Sequence, residues 1–271
     1  AGGGAVNVAR MIAELGGDPD LLICSGGATG ALLEDMLSSL PIRVDVVRTA
    51  EMTRISFMVH EEETNLEYRF VPEGPVVRDV ELAEVLAKVT SFRGDLIVGS
   101  GSLPRGVPED TYARMAAMAA SNGARFILDT SGKPLSLALE QGGLFLVKPS
   151  LTELGGAVGR DLTAETAGEA AMSLVTQGRS QYVAATLGSD GALLASADGV
   201  YRLPAESVMV RSAVGAGDAF LGAFVWSLLQ GATPVEAFRW GVAAGGAAVM
   251  TPGMELARKA DVLALHSRLA K

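Results

Sequence analysis

Short, strongly apolar runs alternate with longer helical patterns along most of this chain, and that alternation constrains its fold more than any other feature. Such a succession predicts an α/β fold, in which a parallel sheet has helices outside it. The apolar runs are Leu21–Cys24, Leu96–Val98, Phe126–Leu128, Leu144–Val147 and Tyr182–Ala185. The helical patterns are Ala5–Leu15, Ala31–Leu40, Val80–Val89, Pro108–Ser121, Ala164–Gln177, Ala219–Gln230 and Pro234–Met250. Ligands bind beyond the carboxyl ends of such strands, so we expect the functional site among the glycine-rich loops there.

One segment, residues 41–72, departs from this alternation. The stretches in it that alternate polar and apolar residues are Arg43–Arg48, Arg54–His60 and Glu67–Val71. Strands with one solvated face have this pattern, so we predict a small β-sheet lid there and an α/β core of residues 1–40 and 73–271. The apolar face of such a lid needs a cover, either a substrate cleft or a second copy of the chain. We therefore expect a homodimer formed through the lid.

Composition excludes several classes of function. The chain has 31 acidic and 22 basic residues, and it lacks the Lys and Arg clusters with which proteins hold nucleic-acid backbones. Its longest uncharged apolar stretch, Trp240–Met250, is about half of the roughly 20 residues that a membrane helix needs. The single cysteine, Cys24, allows no intrachain disulfide. We expect a cytoplasmic protein with neither a nucleic-acid nor a membrane partner.

The run Val214-Gly-Ala-Gly-Asp218 carries the clearest chemical signal, and an apolar helical pattern follows it directly. Glycines at a helix N-terminus let backbone N–H groups approach an anion, and the helix dipole favours negative charge there. A carboxylate at this point is suited to accept the proton that an attacking hydroxyl loses during phosphoryl transfer. Alternatively, Asp218 only caps the helix, which is a frequent use of aspartate. These residues alone do not decide between the two.

The same run resembles the signature of the ribokinase-like, or PfkB, family of carbohydrate kinases, and other segments resemble that family's motifs in the same order. These segments are Gly2-Gly-Gly-Ala-Val-Asn-Val-Ala-Arg10, Gly26-Gly-Ala-Thr-Gly30, Thr53-Arg54, Ser100-Gly-Ser-Leu-Pro104, Val147-Lys-Pro-Ser-Leu-Thr-Glu153 and Thr186-Leu-Gly188. The resemblance implies a three-layer α/β/α sandwich with a mostly parallel central sheet and a small β-sheet lid. It also implies an enzyme that phosphorylates a sugar or sugar phosphate with ATP.

The resemblance further implies a role for individual residues. Asp218 would be the catalytic base, and the N–H groups of Gly215, Ala216 and Gly217 would form the anion hole. The residues expected to bind the sugar phosphate are Gly3, Asn7, Arg54 and Ser102. Those expected to bind ATP are Lys148, Ser150, Thr186, Gly188 and Gly217. Glu153 would hold Mg²⁺ through water.

Within the family, the chain looks most like the phosphofructokinase branch, closest to the PfkB-type 6-phosphofructokinases. That implies transfer to the primary hydroxyl of a phosphorylated ketohexose, with fructose 6-phosphate as the expected substrate. Arg54 is expected to grip the sugar's phosphate, because a guanidinium fork binds two phosphate oxygens, and Arg69 is the alternative. Fructose 1-phosphate and tagatose 6-phosphate remain alternative substrates. A relative that binds nucleotide or sugar but has lost catalysis is a further alternative.

Some positions depart from the family's pattern. Ser150 stands where the family has Asn, although Glu153 can still order the water shell of Mg²⁺. Ser212-Ala213 replaces a common Asp-Thr pair, and Glu255 stands where the nearest branch members tend to have a basic residue. Both changes weaken the expectation of a K⁺ site. The family's first strand, with its sugar-binding Asp, would precede Ala1, so we expect further residues upstream.

The two histidines of the chain, His60 and His266, are far apart in sequence and predict no metal site. His60 falls on a predicted lid strand. We expect His266 on the surface of a C-terminal helix.

Overall fold

The computed structural model describes residues 1–61, 63–64, 66–253 and 255–269, without the side chains of His60, Glu67 and Arg69. Its helices are α1 (Gly4–Glu14), α2 (Gly27–Ser38), α3 (Asp79–Ser91), α4 (Thr111–Ser121), α5 (Gly132–Gln141), α6 (Leu151–Val158), α7 (Ala167–Thr176), α8 (Ala216–Leu229), α9 (Pro234–Ala248) and α10 (Lys259–Leu269). Its strands are β1 (Asp20–Ser25), β2 (Arg43–Arg48), β3 (Phe57–Glu61), β4 (Leu66–Phe70), β5 (Leu96–Ser100), β6 (Arg125–Asp129), β7 (Leu144–Val147), β8 (Ser180–Thr186), β9 (Ala192–Ser196) and β10 (Gly199–Leu203).

The central sheet contains six of the described strands, in the order β10-β9-β8-β7-β6-β5. Strands β5 to β8 run parallel, and β9 and β10 add an antiparallel edge. Alternate side chains of β6 enter opposite cores: Phe126 and Leu128 pack with α4 to α7, whereas Ile127 packs with α1, α8 and α9. The expected three-layer sandwich with a mostly parallel sheet is therefore confirmed.

Two smaller sheets, each of two described strands, complete the fold. Strand β2 pairs with β1 in parallel, whereas β3 and β4 form an antiparallel hairpin. Helix α1 contacts both β1 and β5, so it joins the first small sheet to the central one. The hairpin begins at Phe57 rather than at Arg54 as the alternation predicted. Within the described residues, no helix combines the length and the apolar character needed to cross a bilayer.

The hairpin of β3 and β4 presents a row of apolar side chains to solvent. Opposite pairs in its register put Phe57 beside Phe70 and Val59 beside Tyr68. These four side chains are 45–52% exposed, and the rings of Phe57 and Phe70 stack with centroids 4.9 Å apart. The hairpin therefore carries a large apolar face that the described chain leaves uncovered.

The C-terminal helix corrects one prediction, because His266 is not a surface residue. Its side chain is only 16% exposed, stacks on Trp240 with ring centroids 4.1 Å apart, and hydrogen-bonds Glu236 at 2.7 Å. His266 follows the buried Val262 by one helical turn, so it lies on the face of α10 that packs against α9. Trp240 in turn contacts Trp226 of α8 edge to face, with centroids 4.8 Å apart.

Candidate active site

The motif around Asp218 forms the start of α8. Gly215 is the N-cap and has a φ of +79°, in the left-handed region that glycine adopts without steric cost. It has no side chain to accept a hydrogen bond from the first N–H groups of the helix. Asp218 lies inside the first turn, so the alternative in which Asp218 is the cap is wrong. The helix start thus combines backbone donors with an adjacent carboxylate.

A hydrogen bond joins Asp218 to the N-terminal helix. Asn7 of α1 donates through Nδ2 to Oδ2 of Asp218 at 2.8 Å. The two helices approach closely because Gly222 lies where they cross: a Cβ there would be 2.6 Å from Cβ of Met11 and 2.8 Å from the carbonyl oxygen of Val8. Asn7, predicted to bind sugar, is therefore in direct contact with the predicted base.

A buried ion pair lies beside the same helix start. Lys148 Nζ is 3.1 Å from Oδ1 of Asp129, and the two side chains are only 6% and 15% exposed. Lys148 also lies against α8, because a Cβ at Gly217 would be 3.1 Å from its Nζ. The predicted nucleotide-binding residues Lys148 and Gly217 are thus brought together.

Sequence reasoning missed Asp129. It directly follows the predicted strand Phe126–Leu128, and a polar residue at the carboxyl end of such a strand is the signal that could have identified it. Burial raises the pKa of Asp129 to about 6, the pair with Lys148 opposes that shift, and the carboxylates of Asp218 and Glu153 add to it. Asp129, Glu153 and Asp218 therefore share one electrostatic environment.

The segment after β7 is fixed by a capping box. The Ser150 N–H donates to Oε2 of Glu153 at 2.8 Å, and Oγ of Ser150 accepts from the Glu153 N–H at 3.2 Å. Serine is a good N-cap, which explains how α6 begins normally although the family has Asn here. Ser150 also bridges to Thr186, the last residue of β8, and Gly188 opens the 3₁₀ turn that follows. These positions all lie at the carboxyl edge of the sheet.

The predicted sugar loops meet at the start of α1. Gly3, which has a φ of +114°, and Ser102 are both exposed. A Cβ at Gly4 would collide with Oγ of Ser100, so α1 begins directly against the end of β5 and the loop after it. That loop is anchored to the end of β6, because the Gly101 N–H donates to the carbonyl oxygen of Asp129 at 2.9 Å. The two loops thus lie side by side.

Arg54 has one described hydrogen bond, and its partner Pro72 belongs to the lid segment itself. Its guanidinium is exposed, and Nη1 is 3.5 Å from the carbonyl oxygen of Pro72. The preceding Thr53 is held more firmly: its Oγ1 accepts from the Gly26 N–H at 3.1 Å, and its carbonyl oxygen accepts from Thr29 Oγ1 at 2.6 Å. No contact between Arg54 and Asp218 is found among the described residues. The side chain of Arg69, the alternative phosphate ligand, lies outside them.

A metal ion at this edge of the sheet would have to be held through water. Over the described ranges, no three His, Cys, Asp or Glu side chains are grouped closely enough to hold a metal ion. Glu153 already uses Oε2 in its capping box. Mg²⁺ commonly keeps several waters and binds few protein carboxylates alongside substrate phosphates, and this edge of the sheet fits that mode. A small cavity of ≈ 20 Å³, lined in part by Asn7, Gly215 and Glu255, lies beside the helix start.

Residues 1–260 match the family described as pfkB family carbohydrate kinase. The chain is 36% identical over 272 residues to the ATP-dependent 6-phosphofructokinase isozyme 2 of Escherichia coli (strain K12), covering 100% of this chain and 88% of that protein. It is 38% identical over 264 residues to the ATP-dependent 6-phosphofructokinase isozyme 2 of Mycobacterium tuberculosis (strain CDC 1551 / Oshkosh), covering 96% of this chain and 77% of that protein.

Solved structures agree with these sequence relatives. The fold matches phosphofructokinase-2 from Escherichia coli in complex with potassium at a TM-score of 0.95 and 36% identity, covering 100% of this chain and 88% of the other. It also matches the tetrameric inhibited form of phosphofructokinase-2 from Escherichia coli at a TM-score of 0.93 and 35% identity, with the same coverage of 100% and 88%.

Proposed function

This chain belongs to the pfkB family of carbohydrate kinases, and we propose that it transfers the γ-phosphoryl group of ATP to the primary hydroxyl of fructose 6-phosphate, giving fructose 1,6-bisphosphate. The observation that carries this proposal is the position of Asp218. Its carboxylate lies in the first turn of α8, next to the N–H groups at the helix start, and Asn7 holds it at 2.8 Å. Base and anion donors are therefore adjacent.

Asp218 accepts the proton of the attacking hydroxyl as the new O–P bond forms. The N–H groups of Gly215, Ala216 and Gly217, reinforced by the helix dipole, stabilise the negative charge on the phosphoryl oxygens. The hydrogen bond from Asn7 fixes the orientation of the carboxylate. We assign the remaining hydrogen-bonding capacity of the same amide to a sugar hydroxyl. The attacking hydroxyl is thereby directed at the helix start.

The nucleotide side is formed by Lys148, Ser150, Thr186, Gly188 and Gly217. The Lys148 ammonium beside Gly217 provides positive charge for the phosphates at the start of α8. Mg²⁺ would neutralise charge on the phosphate oxygens, and Glu153 would be the residue that holds its water shell.

The sugar side is formed by Gly3, Asn7, Ser102 and Arg54. Arg54 belongs to the lid segment 41–72, and we assign it the phosphate that the substrate already carries, because a guanidinium holds two phosphate oxygens. Its exposed guanidinium is accessible to that phosphate. The reacting hydroxyl and the distal phosphate are therefore recognised by different parts of the molecule.

A coupled assay of ADP release tests the proposal across fructose 6-phosphate, fructose 1-phosphate, tagatose 6-phosphate and unphosphorylated fructose. We expect the largest kcat/KM for fructose 6-phosphate. Preference for one of the other phosphosugars would replace the substrate and keep the chemistry. ATP binding without transfer to any of the sugars would identify a relative that has lost catalysis and would contradict the proposal.

We also propose that the apolar face of the β3–β4 hairpin pairs two copies of the chain. Phe57, Val59, Tyr68 and Phe70 lie on one side of the hairpin and are about half exposed. An uncovered face of this kind on a small sheet favours a partner, and a second copy offers the identical surface. The lid that carries Arg54 would then also be the dimer contact.

Light scattering after size-exclusion chromatography tests the dimer. We expect the wild-type chain to elute as a dimer and Phe57→Glu as a monomer. Leu229→Glu is the matched control, because Leu229 is 54% exposed at the far end of α8 and lies outside the hairpin. A monomeric wild-type chain at micromolar concentration would remove this proposal, and a tetramer that Phe57→Glu leaves intact would place the contact elsewhere.

K⁺ stays outside the proposal because Ser212-Ala213 and Glu255 depart from the family's pattern. Exchanging K⁺ for tetramethylammonium at constant ionic strength tests whether the rate depends on K⁺. We assign the reaction to the cytoplasm, since ATP and sugar phosphates occur there and the single cysteine suits a reducing compartment.

A further inference from the structure

The ion pair between Asp129 and Lys148 joins two neighbouring strand ends. Asp129 is the last residue of β6, and Lys148 directly follows β7, with which β6 pairs in parallel. The atoms Oδ1 and Nζ are 3.1 Å apart, and the lysine side chain is 6% exposed. Burying a lysine this deeply is unfavourable unless a partner compensates its charge, and Asp129 is that partner.

The position of the ammonium is unusual for a buried structural pair. Lys148 Nζ lies 3.1 Å from where a Cβ of Gly217 would be, so it touches the first turn of α8. Positive charge at a helix N-terminus opposes the helix dipole and is unfavourable by itself. Such an arrangement becomes favourable when an anion binds between the ammonium and the helix N–H groups. The geometry therefore points to a lysine kept ready for an anionic ligand.

We propose that Asp129 is a positioning residue of the phosphoryl-transfer site, holding the Lys148 ammonium against Gly217 before the nucleotide arrives. This inference rests on the proposed function. A lysine side chain loses rotamer entropy when it is fixed, and an ion pair that fixes it beforehand spares that loss when the transition state forms. Removing the carboxylate lets the ammonium leave the helix start, so Asp129 acts on the reaction only through Lys148.

Asp129 also reaches the sugar side through its backbone. Its carbonyl oxygen accepts from the Gly101 N–H at 2.9 Å, and the neighbouring Thr130 Oγ1 donates to the carbonyl oxygen of Gly101, also at 2.9 Å. A side-chain substitution leaves these backbone contacts in place. Variants at Asp129 therefore test the ion pair separately from the loop that carries Ser102.

A double-mutant cycle tests the proposal with Asp129→Asn, Lys148→Met and the double variant. We expect Lys148→Met to lower kcat about 100-fold, as removal of one charge-stabilising donor does. Asp129→Asn should lower kcat about 10-fold, with KM for fructose 6-phosphate changed less than about twofold. The double variant should be no slower than Lys148→Met. Asp198→Asn, an exposed aspartate in the turn between β9 and β10, is the control and keeps wild-type kinetics.

Multiplication of the two losses in the double variant would overturn the proposal, as would wild-type kcat in Asp129→Asn. The single variant leaves a buried ammonium unpaired and can lose its fold, which thermal unfolding detects. The double variant removes both charges, and buried pairs replaced in this way are commonly tolerated. If Asp129→Asn does not fold, comparing Lys148→Met with the double variant decides: equal kcat supports the proposal and a slower double variant contradicts it.

Calorimetric binding of a non-transferable ATP analogue separates this proposal from the proposed function. The same cycle is measured without sugar, and we expect Lys148→Met to weaken analogue binding about 10-fold, with no further weakening in the double variant. A chain that binds the analogue with this coupling but phosphorylates no sugar would refute the proposed function and keep the role of Asp129. A wild-type chain that does not bind the analogue would refute both.

Discussion

The start of α8 and the segment that carries Arg54 are proposed to bind the two ends of the substrate, and they are built in opposite ways. At the helix start, Asp218 accepts a hydrogen bond from Asn7 of another helix, and Lys148 lies buried between Asp129 and Gly217. At the lid, Arg54 has its guanidinium in solvent, 3.5 Å from the carbonyl oxygen of Pro72. With the proposed roles, the contrast implies that the chemistry is organised in advance, whereas the contacts to the distal phosphate form only when the substrate binds.

The largest effect is expected when the proposed base is removed. Asp218→Asn keeps the shape of the side chain but cannot accept the proton, so kcat should fall about 1000-fold, within the range of general-base contributions. Binding of the ATP analogue should change less than about threefold, because the helix N–H groups remain. Steady-state kinetics and calorimetry measure the two quantities. A loss in kcat below about tenfold would contradict the assignment of Asp218 as the base.

The second test uses the pH dependence of stability. The folded-state pKa of Asp129 is raised from 3.8 to about 6, so the folded chain binds more protons there than the unfolded chain between these values. The stability that this group contributes is complete below pH 3.8 and is lost as pH rises through 6. Relative to the double variant Asp129→Asn/Lys148→Met, the wild-type free energy of unfolding should therefore fall by about 3 kcal/mol from pH 4 to pH 7.

Urea unfolding of both proteins at several pH values measures that difference. A difference free energy that does not change with pH would show that Asp129 titrates as an exposed carboxylate does. The surroundings of Asp129 and Lys148 would then be more hydrated than their burial indicates.

A third prediction concerns the helix crossing that brings Asn7 to Asp218. Gly222→Ala places a Cβ 2.6 Å from that of Met11, so the free energy of unfolding should fall by about 1–3 kcal/mol, as overpacking does. Gly156→Ala in α6 is the matched control, because no atom outside its own helix turn lies within 4 Å of the added Cβ. The control should gain about 0.5–1 kcal/mol from the better helix former. Equal stability of the two variants in urea would contradict a tight crossing.

The smallest expected effect lies in the lid. Arg54→Lys keeps the charge but loses the fork, so KM for fructose 6-phosphate should rise about tenfold, with kcat within about twofold of wild type. Arg93→Lys is the control, since the Arg93 guanidinium only donates to the carbonyl oxygens of Thr90 and Phe92 in the described contacts. A large fall in kcat with unchanged KM would mean that Arg54 acts in the chemical step, as proposed for Asp218 and Lys148, and not in binding the distal phosphate.

Local sequence patterns predicted much of the structure around Asp218. Helix α8 and its glycine start followed from the residues around Asp218, and the apolar run before Asp129 correctly predicted β6. The pair of Asp129 with Lys148 was not predicted, because their proximity arises from strand pairing between distant segments. The prediction that His266 lies on the surface was wrong for a related reason. Its burial depends on Trp240 of another helix, and the sequence pattern of α10 alone carries no information about that contact. The roles of the individual site residues remain predictions.

The contact of Trp240 with Trp226 and His266 gives this molecule a built-in fluorescent probe. The chain has only two tryptophans, and both lie in this one contact, with ring centroids 4.8 Å apart. Trp226 belongs to α8, the helix that begins beside Asp218, and His266 adds a ring from the C-terminal helix. Intrinsic fluorescence therefore reports almost entirely on how α8, α9 and α10 pack together, so the helix that carries the base can be followed without any label.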